Sequence, residues 1–168
     1  IYIISMENDL FNISKYLYEN PEESFCEHKA HDYLINILKQ NNFEIKEKFL
    51  DIPTAFMAKF GDGHPKICYI CEYDCGCKKG HIVGSNLVSS MSIGAAIGLS
   101  KVIPKTKGSV IVLGCPGEFL GGSKVIMSKQ GAFDDIDVVL SAHPSIINAN
   151  CCSSPAKIGR ASCRERVY

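Results

Sequence analysis

The sequence has no excess of charge of either sign: 18 lysines and arginines stand against 18 aspartates and glutamates. The long-range field that gathers nucleic acid or an anionic membrane surface is therefore missing, and neither is expected as a partner. No apolar run reaches the roughly 18 residues of a membrane-spanning helix, and no succession of charged, apolar and small residues marks a secretory signal. A cytoplasmic location is expected. Internal repeats and low-complexity linkers are absent too. So is the paired knuckle spacing of a zinc module, although the chain holds 9 cysteines. Their number is odd and their placing scattered, with Cys26 and Cys115 isolated and Cys151 next to Cys152. A small disulfide framework is excluded on that pattern, and reduced thiols are expected.

What is present is 46% hydrophobic residues over 168 positions, enough for one substantial core. The segment CYICEYDCGC gathers Cys68, Cys71, Cys75 and Cys77 shortly before His81. Cys68 and Cys71, however, belong to the apolar run KICYICEY, and strand alternation sends them to opposite faces. Both chain ends look foreign. Residues 1–5 precede Met6 and are expected to be a non-native leader. The stretch IGRASCRERV, Ile158 to Val167, is residue for residue the translation of a common sequencing-library adapter from its third base. Residues 158–168 are therefore expected to be read-through that packs against nothing, leaving 6–157 as a partial domain.

Between those ends helices and strands alternate. SFCE has the form of a capping box, Ser24 with Glu27, and Ala30, Tyr33, Leu34, Ile37 and Leu38 follow on one helical face that stops at Asn41 and Asn42. FEIKEKF and TAFMAKF are expected strands, GDGHP a turn and KICYICEY a buried strand. From Asn86, the residues Leu87, Met91, Ala95, Gly98 and Val102 recur at helical spacing, with Gly94 and Gly98 expected to permit close approach to a sheet. SVIVLGC and DVVLSAH are expected as further buried strands, separated by a helix from Ser123 to Gly131. Strand, crossover helix and strand predict an α/β fold with an open, mostly parallel sheet and flanking helices.

In such sheets the loops leaving the carboxyl ends of the strands carry chemistry, and Asp74, Glu118 and His143 fall there. Singly, each has an ordinary explanation as a turn cap, a solvated carboxylate or a strand-end histidine. Together, after three successive core strands, they predict a common site.

The segments NPEESFCEHKAHDYLINILKQNNFEI, IPTAFMAKFGDGHPKICYICEYD, GHIVGSN and GSVIVLGCPGEFLGGSKVIMSKQGAFDDIDVVLSAHP resemble, in order, the aminoacylase and carboxypeptidase family of zinc metallopeptidases. The resemblance is to its amidohydrolase branch, which includes dipeptidases and hydrolases of aminobenzoyl-glutamate and auxin conjugates, and it runs from about Leu10 to Pro144. It implies the N-terminal part of a metallopeptidase-type catalytic domain, a pair of zinc or other divalent ions, a small acyl amino acid or dipeptide as substrate, and a homodimer at full length. It also implies Glu118 as general base, Asp74 as the carboxylate that orients the site and His143 as a metal ligand. Where the branch has HACGHN this chain has HIVGSN, and where it has PAEE this chain has PGEF. The resemblance thus places ligands at Val83, Ser85 and Phe119, none of which supplies a family donor.

A metal pair of this kind needs thiolate, imidazole and carboxylate donors, and it brings a bound water to a pKa near neutrality so that a base can activate it. Valine donates nothing, a serine hydroxyl is a poor substitute for imidazole, and phenylalanine fills ligand space with apolar volume. The expectation is a metallo-amidohydrolase by ancestry, impaired or inactive here because the pair is not bound. The alternative is a noncatalytic binding or regulatory relative that keeps the fold and pocket. A repositioned site on Cys75, Cys77, His81 and His143 would rescue catalysis. Phosphate binding by the glycine-rich GEFLGGSK fails in detail, because the order Gly122, Ser123, Lys124 is not the Gly-Lys-Ser/Thr of a phosphate loop.

Overall fold

The structure, a computed structural model, describes residues 6–76 and 80–144. The expected leader at 1–5, the residues Cys77, Cys151 and Cys152, and the tail at 158–168 lie outside the described residues.

Two helices open the chain, α1 (Glu7–Glu19) and α2 (His28–Gln40). Ile13 and Leu17 of α1 and Ala30, Leu34, Ile35 and Leu38 of α2 turn inward, the three- and four-residue spacing of amphipathic helices. Asn41 closes α2 as predicted. The start of α2 differs from the expected capping box. The Glu22 carboxylate accepts the backbone N–H groups of Lys29 (3.1 Å) and Ala30 (2.9 Å), while Ser24 and Glu27 bond elsewhere. Tertiary partners outbid the local motif for both side chains, as described below.

The sheet has five strands: β1 (Glu44–Glu47), β2 (Phe56–Phe60), β3 (Lys66–Cys71), β4 (Ser109–Gly114) and β5 (Val138–Leu140), in the order β1-β2-β4-β3-β5. β3 runs parallel to both β4 and β5, whereas β1 and β2 form an antiparallel flank on β4. The predicted crossover units account for the parallel part; the flank follows from the short connection between β1 and β2, which returns the chain on itself.

Between β3 and β4 lie α3 (Ser85–Ser100) and the short α4 (Ile103–Thr106); α5 (Ser123–Lys129) precedes β5. Alternation along the strands builds two cores. Phe56, Ala58, Cys71, Val110 and Val112 face α1, α2 and α3, while Cys68, Ile70, Ile111 and Leu113 face Met127 of α5. Cys68 and Cys71 do lie on opposite faces. The β3-to-β4 crossover moves one way along the sheet and the β4-to-β5 crossover moves back past β3, with their helices on opposite faces. Such a reversal opens a crevice beyond the carboxyl ends of β3 and β4.

Two expectations about burial are corrected. The inward face of α3 is not the Leu87, Met91, Ala95 stripe, which is exposed, but one carrying Val88, Ile93, Ala96 and Ile97 among serines. Those serines tolerate burial because each hydroxyl donates to a carbonyl: Ser90 to Leu10 (2.6 Å), Ser92 to Ile70 (2.5 Å), Ser89 to Glu72. Gly94 makes room for α1 rather than for the sheet; a Cβ there would stand 2.5 Å from Leu10 Cδ2. The second correction concerns β5. Val138, Val139 and Leu140 are exposed, because this strand is the sheet edge and pairs on one side only.

Candidate functional site

At the crevice the chain leaves β3 and reaches Asp74, a carboxylate with 0% exposure. Its Oδ2 accepts the Ser24 hydroxyl at 2.6 Å and the Phe119 backbone N–H at 3.2 Å. Its Oδ1 has no hydrogen-bond partner among the described residues. Ser24, expected to cap a helix, instead fixes this carboxylate.

β4 ends in Cys115 and Pro116, and Gly117 (φ +72°) turns the chain into a single helical turn, Glu118–Leu120. A side chain at Gly117 would be strained at that φ, and its Cβ would lie 2.3 Å from the Phe25 ring. Glu27 holds this turn. Its Oε1 accepts the backbone N–H groups of Phe25 and Gly117, each at 2.8 Å, and its Oε2 accepts the Thr54 hydroxyl at 2.8 Å. Burial raises the Glu27 carboxyl above its ordinary pKa, with those hydrogen bonds opposing the shift.

Glu118 is ion-paired: Lys124, from the first turn of α5, sets its Nζ 2.9 Å from Glu118 Oε2 and 2.5 Å from Glu72 Oε1. Burial works against the Lys124 charge, but the bonds to Glu72 and Glu118 outweigh it and hold the ammonium above the usual lysine pKa.

The loop before α3 carries Val83 and, at its end, Ser85. The Ser85 hydroxyl donates to the Asp74 carbonyl at 2.7 Å, so its oxygen is left to accept from His81 Nδ1, also at 2.7 Å. Burial lowers the His81 pKa, against a backbone bond to Leu17 and the Asp74 charge. His143, beyond β5, is exposed and sets Nδ1 2.8 Å from the Pro144 carbonyl.

Asp74, Glu118 and His143 all line one open cavity of ≈ 410 Å³, and Val83, Ser85 and Phe119 line it with them. Sequence reasoning therefore named six residues that the fold brings together. It did not name Glu72 and Lys124, which share the cavity, nor the supporting roles of Ser24, Glu27 and His81. Lys124 stands in the glycine-rich GEFLGGSK segment, but no spacing rule announces a partner 52 positions away.

The donor set does not suit a metal pair. Around the cavity Val83 and Phe119 offer no lone pair, and the Ser85 oxygen is occupied by His81 and Asp74. Among the described residues no group of three or more histidines, cysteines, aspartates and glutamates is placed to hold a metal ion. That covers Cys75, His81 and His143 of the repositioned alternative; Cys77 lies outside the described residues. Cys68 and Cys71 are buried thiols, each pushed up to about 12 by desolvation. No described helix is long and apolar enough to cross a membrane.

No family model matches the chain. One of the two chains of the p-aminobenzoyl-glutamate hydrolase of Escherichia coli (strain K12) is 33% identical over 152 residues, covering 79% of this chain and 32% of that protein. The Xaa-Arg dipeptidase of Mus musculus is 34% identical over 154 residues, covering 82% of this chain and 35% of that protein. The chain thus spans about a third of the length of these curated relatives. A solved dinuclear metal-binding peptidase of the M20 family from Bacillus subtilis matches with a TM-score of 0.69 at 20% identity, over 80% of this chain and 42% of the other, a likeness of fold.

Proposed function

The chain belongs to the M20 amidohydrolase/peptidase family, and we propose that it is a member whose hydrolysis of a small N-acyl amino acid or dipeptide is impaired or lost. One observation carries this reading. Val83, Ser85 and Phe119 stand around the same cavity as Asp74, Glu118 and His143, so the pocket survives while the positions expected to donate to a metal do not.

The chemical consequence follows from proton affinity. Glu118 as general base would have to activate an ordinary water with a pKa of about 15.7, and the ammonium 2.9 Å away competes for its oxygen. Asp74 would still orient the site through the Ser24 and Phe119 bonds. What remains is binding without efficient turnover, which also supports the second reading, a noncatalytic relative that recognises or regulates through the retained pocket. The same proposal includes a cytoplasmic location, a homodimer at full length, and a division into a leader at 1–5, a partial catalytic domain at 6–157 and an adapter-derived tail.

The test is the metal content of the full-length protein after dialysis, measured by elemental analysis beside an amidase assay on N-acyl amino acids and dipeptides. Zinc far below one equivalent with no metal-dependent turnover is expected. Stoichiometric zinc accompanied by amide hydrolysis would overturn the proposal.

A further inference from the structure

The cavity that lost its metal donors has kept its negative charge. Three carboxylates, Glu72, Asp74 and Glu118, line it with a single ammonium, Lys124. Lys124 engages Glu72 and Glu118 and makes no bond to Asp74. Asp74 is fully buried, and its Oδ1, on the wall of this cavity, lacks a donor among the described residues. A buried carboxylate oxygen without a donor is costly, and a ligand that supplies an N–H to it recovers that cost.

The remaining wall selects among cations. Val83, Val88 and Phe119 are apolar, and the Phe119 ring is seated against Gly76, where an added Cβ would come within 2.5 Å of it. An aromatic ring beside carboxylates is suited to an organic cation, whose N–H groups meet the oxygens while its alkyl stem covers the apolar side. A divalent ion finds no such advantage, since it needs donor atoms where Val83 and Phe119 stand. A volume of ≈ 410 Å³ is ample for a small amine or guanidine.

We propose that this cavity binds an organic monocation, a primary ammonium or guanidinium head group on a short alkyl stem, with Asp74 Oδ1 as its principal acceptor and Phe119 as its aromatic wall. The proposal rests on the reading that no metal pair occupies the site.

The experiment is calorimetric titration of the full-length protein, in the presence of a chelator, with n-butylguanidinium and with its neutral counterpart n-butylurea. Saturable binding of the cation, about tenfold or more tighter than the urea, is expected, since a hydrogen bond to a charged group is lost in the neutral ligand. Higher ionic strength should weaken only the cation. Asp74→Asn should weaken cation binding about tenfold, and Phe119→Leu about threefold. Should Asp74→Asn fail to fold by circular dichroism, the half-exposed Phe119→Leu and the urea comparison decide. Equal binding of the two probes, no binding of either, or a folded Asp74→Asn that binds the cation unchanged would each overturn the inference. Zinc content measured on the same preparation separates the two failures. A metal-free protein that ignores the cation sinks this inference alone, whereas stoichiometric zinc sinks the reading beneath it.

Discussion

Glu27 Oε1 accepts the backbone N–H of Gly117 at 2.8 Å, so a residue just ahead of α2 fixes the turn that carries Glu118, 90 positions later. The same carboxylate holds Phe25 and Thr54. It is the fastening of the crevice rather than a participant in its chemistry.

Glu27→Ala should therefore destabilise by about 2–4 kcal/mol, because it strands two buried N–H groups and a hydroxyl. Glu27→Gln should cost much less, since the amide oxygen still accepts both N–H groups and its NH2 can donate to Thr54. Urea unfolding of the two variants checks the order, and equal losses would contradict it.

The raised pKa of Glu27 gives this pair a pH signature. The folded state holds the Glu27 proton more tightly than the unfolded chain, so ionising this group costs stability as pH rises from about 4.3 through the raised value. Stability of the wild type relative to Glu27→Gln should fall across that window and level off above it. A flat difference would mean that Glu27 titrates normally.

Lys124→Met should cost roughly 1–2 kcal/mol at neutral pH, by leaving Glu72 and Glu118 without their cation in a partly buried place. Because the folded lysine pKa is raised, its contribution is complete below the unfolded value of about 10.4 and disappears as pH climbs through the folded one. The stability gap between wild type and variant should accordingly close in strongly alkaline buffer. Persistence of the gap there would assign the effect to packing instead of charge.

Metal donors can be put back. Val83→Cys, Ser85→His and Phe119→Glu combined, in the full-length protein, should regain zinc by elemental analysis, while any single restoration should help little, since a site needs its ligands together. Amidase activity recovered in the triple variant should vanish on Glu118→Gln, which keeps the shape and removes the base. A single replacement that binds zinc stoichiometrically would show that donors were present all along.

The open edge at β5 makes a different prediction. Val138, Val139 and Leu140 are exposed on a strand paired only with β3, a template for association between chains. Residues 6–144 expressed alone should self-associate in sedimentation velocity, and Val139→Lys should reduce this while changing stability by no more than about 0.5 kcal/mol. Monomeric behaviour of the unsubstituted segment would refute it.

Patterns with a short period disclosed most of the fold. The alternation in KICYICEY and SVIVLGC placed β3, β4 and the two faces of the sheet, and the spacing in α2 placed its inner side. The period of α3 misled because apolar and small residues run all the way round it. Only the carbonyls waiting opposite Ser89, Ser90 and Ser92 decide which side turns in. DVVLSAH looked buried because composition cannot say whether a strand has a neighbour on each side. The site divided in the same way. Asp74, Glu118 and His143 were found from strand ends, but the Ser24–Asp74 and Glu27–Gly117 bonds span 50 and 90 positions, and no local signal reports a contact of that range.

The reversal of strand order beside β3 has one further consequence. The hollow beyond the strand ends is made by two crossovers diverging, as a gap between two books leaning apart is made by the books. The side chains standing in the gap hold nothing up, so a lineage can exchange them without endangering the shelf. A catalytic inventory can then be emptied while the room it occupied stays open, free to be furnished for a different guest.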